Sequence, residues 1–127
     1  MSFTLKISPT TFQSIKLRGG FLIVRLDFVT EPLVDAVGRS ALAKTRISGS
    51  EFHLAILSSL SDKEKSVTVY HEILEAMTIA SPSAPASVQD FNEGDFERAA
   101  YKAHEDYGPA SPKSLDRMLQ FYGFRKE

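Results

Sequence analysis

Ser61 followed three residues later by Glu64 is the signature of a capping box, in which serine and glutamate side chains each bond the other residue's backbone N–H. It starts a helix over Asp62 to Ala80, and Pro82 and Pro85 in the stretch S-P-S-A-P-A-S prevent that helix from continuing. Val67, Tyr70, Ile73, Leu74 and Met77 recur at helical spacing and form one apolar stripe. A stripe of this length needs a surface to lie on. The segment just before it, E-F-H-L-A-I-L from Glu51 to Leu57, is apolar enough for a sheet strand.

The remaining segments sort themselves around this pair. Phe3, Leu5 and Ile7 alternate with polar residues until Pro9 stops them, as in a strand with one buried face. A short extended piece fits Phe12 to Leu17, and Gly19 with Gly20 forms a turn. Phe21 to Val29 is the clearest strand, with Leu22, Val24, Leu26 and Phe28 on one side and Ile23, Arg25 and Asp27 on the other. Residues 30–44 suit a short helix capped by Thr30 or a loop around Gly38 equally well, and Ser48 to Ser50 form the next turn. Beyond the proline stretch a helix begins at Asn92, with Asp95 in its first turn and Phe96, Ala100, Ala103 and Tyr107 as its stripe, and ends at Gly108 and Pro109. Ser111 and Pro112 start a last helix that buries Leu115, Met118, Leu119 and Tyr122 and closes at Gly123. The expected fold is one α+β domain over residues 1–127, with a small N-terminal β-sheet before residue 60 and about three helices after it.

Composition removes several classes of function. With no cysteine among 127 residues, disulfides, thiolate-bound zinc and a cysteine nucleophile are excluded. Lys and Arg number 15 against 16 Asp and Glu, which gives no basic field for nucleic acid or an anionic membrane. The longest apolar run carries Arg25 and Asp27 and is too short to span a bilayer, and no signal peptide is apparent, so a soluble cytoplasmic protein is expected. No G-x-S-x-G, P-loop or dinucleotide fingerprint occurs.

What remains is V-Y-H-E-I-L-E-A, from Val69 to Ala76, in the middle of the capped helix. Helical spacing puts His71 and Glu75 one turn apart on one face with Glu72 beside them. An imidazole and a carboxylate so placed can share a divalent ion, and the second carboxylate can serve an attacking water. A third ligand must come from outside this helix. Glu97 and His104 are the candidates on the helix from Asn92, with His104 placed first because it adds a nitrogen donor. Zinc is the first expectation, and a carboxylate-rich donor set also suits iron or manganese. His53, in a strand, is expected to be an ordinary side chain. The bland alternative is that His71, Glu72 and Glu75 are the solvated face of an amphipathic helix.

The string H-E-x-x-E resembles the H-E-x-x-H helix of zinc metallopeptidases, the zincins, with glutamate at the second ligand position. It also looks like the minimal-zincin proteins of bacteria and phages, some of which carry H-E-[IVL]-[IVL]-E-A at this place. The resemblance covers residues 51 to 80 and, loosely, the downstream helix. It implies a zincin-like fold, His71 and Glu75 as metal ligands and Glu72 as general base. Glu97 matches the zincins whose third ligand is a downstream glutamate. The function implied is that of a metallopeptidase-like protein acting on a peptide or protein, either a weak peptidase or a metal-binding relative without turnover. A second class is a non-enzymatic helical interaction module of a bacterial or phage regulatory system.

Overall fold

A computed structural model describes residues 7–126. The strand expected over Phe3 to Ile7 lies outside these residues except for Ile7, which is buried and belongs to no strand. A 3-10 turn at Pro9–Phe12 occupies the start of the expected extended piece and buries Phe12 completely. Only Ile15–Lys16 of that piece pairs as a strand, β1. Gly19 turns the chain with φ 72°, in the left-handed region that glycine enters without Cβ strain.

The sheet is completed by β2 (Leu22–Val29), β5 (Ala43–Ser48) and β6 (Glu51–Leu57), in the order β1-β2-β6-β5. β2 and β6 run parallel, and the other neighbours are antiparallel. β5 and β6 are joined by a two-residue loop, Gly49 and Ser50, whose first position has φ 62°.

β2 departs from simple alternation. Ile23 pairs with Phe52 and Arg25 with His53, so Val24 is an extra residue in the ladder, a β-bulge. The bulge changes the phase of the strand and puts Ile23 and Leu26 together on the buried face. Alternation had placed Ile23 outward with Arg25 and Asp27; a single inserted residue reverses that for Ile23.

Residues 30–44, which composition left undecided, form a small hairpin, β3 (Leu33–Val34) with β4 (Ser40–Ala41), and then enter β5. The Asp35 carboxylate closes its turn by accepting the N–H groups of Val37 and Arg39 at 2.9 Å each. The backbone bond from Arg39 is the main reason that its pKa is held below the ordinary value.

Three helices follow: α1 (Asp62–Ala80), α2 (Glu93–Tyr107) and α3 (Pro112–Phe121). Each opens on a capping box, formed by Ser61 with Glu64, Asn92 with Asp95 and Ser111 with Ser114. Such a cap stabilises a helix by about 1 kcal/mol. α1 packs on β5 and β6 and along α2. All five residues of its expected stripe are buried, as are Ser66, Val69 and Ala76. Complete burial of a side chain such as Ile73 or Leu74 is worth about 1.5–3 kcal/mol, so this face fixes how α1 is rotated over the sheet. The Tyr70 hydroxyl donates to the Gly108 carbonyl at 2.8 Å, tying α1 to the end of α2. Arg18 makes a two-pronged pair with Asp116 of α3 at 2.8 and 3.1 Å. The fold is therefore α+β, a small mixed sheet with its helices on one face, and no helix among the described residues is long and apolar enough to cross a membrane.

Candidate metal centre

The rotation that buries Tyr70, Ile73, Leu74 and Met77 turns His71, Glu72 and Glu75 toward two neighbours, the start of α2 and the strand β5. One potential ligand atom from each of the three lies within 4.8 Å of the others. The sequence spacing accounts for this: positions 71 and 75 are stacked by one helical turn, and position 72 adjoins them.

His71 is the centre of the group. Its Nδ1 lies 2.7 Å from Glu97 Oε2 of α2. Its Nε2 lies 3.2 Å from Glu93 Oε2, also of α2, and 3.5 Å from Glu75 Oε2. Only 13% of the His71 side chain is exposed, and the ring of Phe96 is tilted against it at 6.1 Å between centroids. Burial by itself depresses the imidazole pKa, but hydrogen bonds that the ring donates to Glu75 and Glu97, with the charges of Glu72 and Glu75, outweigh it and push it up to about 9. Without an ion His71 is thus an imidazolium held between the two helices.

The four carboxylates differ in environment. Burial raises the pKa of Glu72, opposed by a hydrogen bond that its Oε1 accepts from Thr45 Oγ1 at 2.8 Å. The bond to His71 lowers Glu75, whereas the bond to Glu75 raises Glu93. Glu93 is the first residue of α2, where the N-terminal dipole favours an anion. Glu97, one turn further on, is half exposed.

Glu97 and His104, the two candidates for a third ligand, are separated by the fold. Glu97 meets His71. His104 does not: its Nδ1 lies 2.7 Å from the Ser66 hydroxyl, which also accepts the Ala110 N–H at 2.9 Å. Burial, with the nearby charge of Lys63, lowers the pKa of His104. Ser66 precedes His71 by five residues, about 7.5 Å along the helix axis. His53 pairs across the sheet with Arg25 and Arg46. Its neighbours Phe52 and Leu54 are buried under the helices, so His53 lies on the opposite face.

Two residues of the site have no part in the sequence argument. Glu93 shares a helical face with Glu97 four positions later, and that spacing was available to be read. Thr45 reaches Glu72 from a different element, 27 positions away, and no local pattern announces it.

His71, Glu72 and Glu75 together could offer one imidazole nitrogen and two carboxylate oxygens to a cation. Nε2 of His71 faces the carboxylates of Glu75 and Glu93, while its other nitrogen is turned to Glu97, the arrangement by which an outer carboxylate orients a metal-binding imidazole. An open cleft of about 480 Å³ adjoins the group, with Thr45, Glu72, Glu75 and Glu93 in its wall. Comparison with protein-family models, curated proteins and solved structures gives no match.

Proposed function

We propose that the chain is a zincin-like metal-binding protein of the metallopeptidase type, with His71 Nε2, Glu75 and Glu93 as ligands and Glu72 as general base. The observation that carries this is the two-sided environment of His71: one ring nitrogen oriented by Glu97, the other facing two carboxylates at the mouth of a cleft. One imidazole with carboxylates suits zinc, manganese or ferrous iron. When bound, such an ion polarises a carbonyl and acidifies the attacking water.

The chain's own groups supply the rest. Glu97 fixes the ring of His71 and accepts its Nδ1 proton. Thr45 holds one oxygen of Glu72, leaving the other to take a proton from water, and the raised pKa of this carboxyl brings it nearer to the pH at which it must accept and return that proton. Among the described residues β5 is the last strand of the sheet, and we propose that an extended peptide lies along its outer edge beside the cleft.

The test is Glu72→Gln. Loaded with zinc or manganese, the parent is expected to cleave an unstructured fluorogenic protein substrate, and the variant to retain the ion but lose cleavage by at least about a hundredfold. Undiminished cleavage by Glu72→Gln removes that residue from the role. A loaded parent that cleaves nothing is a metal binder without turnover.

A further inference from the structure

Among the described residues seven large apolar side chains are exposed, and three of them, Val34, Ile47 and Ile79, line the cleft beside Glu72, Glu75 and Glu93. They come from three separate elements, the β3–β4 hairpin, the edge strand β5 and the last turns of α1. Leaving such groups in water forgoes the free energy of burying them. Their meeting in one concavity is therefore unlike a scatter of single exposed aliphatics, which needs no explanation.

Their placement relative to the carboxylates is regular. On α1 the residues facing the cleft are Glu72, Glu75, Ala76 and Ile79, the i, i+3, i+4, i+7 spacing of one helical face. That face is anionic at its start and aliphatic at its end. On β5, Thr45 and Ile47 pair with the buried residues Leu54 and Phe52 and so share the side toward α1. Thr45 bonds Glu72, and Ile47 stands two residues further, about 6.8 Å along the strand. The same interval separates side chains on one side of an extended peptide.

We infer that this end of the cleft is a subsite for a bulky aliphatic side chain, selecting peptides that carry one next to the carbonyl presented at His71, Glu75 and Glu93. The inference rests on the metal-binding reading of that site. The cleft volume of about 480 Å³ falls in the range of small-molecule pockets and exceeds what a leucine side chain needs.

Two hydroxamic acids with the same chelating group separate the subsite from the metal. Glycine hydroxamate and leucine hydroxamate are titrated calorimetrically into the zinc-loaded full chain, whose zinc content is measured independently by mass spectrometry. Leucine hydroxamate is expected to bind at least about tenfold more tightly, the discrimination an apolar pocket provides for small differences in hydrocarbon. The double variant Ile47→Ser, Ile79→Ser is expected to keep its zinc and its glycine hydroxamate affinity and to lose most of that preference. Ile79 is 67% and Ile47 37% exposed, and retained zinc with unchanged glycine hydroxamate affinity shows that the double variant is folded. Equal affinities in a zinc-loaded parent, or a preference that survives in the double variant, overturn the subsite and leave the metal site standing. A parent that retains no zinc overturns the metal reading, and the subsite with it.

Discussion

Replacing His71 with alanine is expected to abolish stabilisation of the protein by added metal. Among the described residues His71 is the imidazole at the site, and it contacts Glu75, Glu93 and Glu97 together. Loss of an outer partner alone costs about 10- to 100-fold in affinity, so removal of the central ligand should exceed that. For the parent, free metal at a hundred times its dissociation constant adds about 2.7 kcal/mol. In a chain of 127 residues that is about 10 °C in melting temperature. Melting curves with zinc, and with a chelator in its place, are expected to separate for the parent and to coincide for His71→Ala. The variant should also melt below the metal-free parent, because it leaves four carboxylates gathered around a lost positive charge. Equal metal-induced shifts in parent and variant would place the ion elsewhere.

The second large effect is a dependence on pH that has opposite sign with and without metal. The pKa of His71 rises from 6.5 to about 9 on folding. A raised pKa means that the proton favours the folded state. This contribution is fully present below pH 6.5 and is lost as pH rises through about 9. Because Glu93 and Glu97 are well exposed, solvent screening reduces it to on the order of 2 kcal/mol. A metal ion requires the neutral imidazole and must displace this proton. Apparent affinity should therefore fall about tenfold for each pH unit below 9, with about one proton released per ion bound near neutral pH. Urea unfolding of the metal-free protein between pH 6 and 10 tests the first part, and calorimetric titration in buffers of different ionisation enthalpy tests the second. Metal binding that releases no proton would contradict the assignment of His71 as a ligand.

Features carried by a few neighbouring residues were legible in the sequence. The Ser61–Glu64 box, the proline stretch and the stripe from Val67 to Met77 give α1 its observed limits. Asn92 with Asp95 and Ser111 with Pro112 do the same for the starts of α2 and α3. The bulge at Val24 was not legible, because its signal is in the pairing with β6 and not in the strand's own alternation. Nor was the β3–β4 hairpin, whose two-residue strands are too short to show a period.

The site divides in the same way. His71, Glu72 and Glu75 are one local pattern on one helix, and they lie together. The choice between Glu97 and His104 depends on how α2 is turned over α1, which the buried residues Phe96, Ala99, Ala100 and Ala103 decide. With that face inward, the first turns of α2 carry Glu93 and Glu97 to His71, while His104, near the far end, reaches Ser66. The two helices lie side by side, so the start of α2 meets His71 while its end meets Ser66 and Tyr70.

The central claim is that His71, Glu75 and Glu93 hold one divalent ion. The most direct measurement is the metal content of protein purified without chelator or nickel affinity, after dialysis against equal micromolar zinc, manganese and ferrous iron under anaerobic conditions. About one equivalent of a single ion per chain is predicted for the parent, with no retention by His71→Ala or by Glu75→Gln, Glu93→Gln. A parent that retains no ion, or variants that retain as much as the parent, would contradict it and leave His71 as a protonated clamp between α1 and α2.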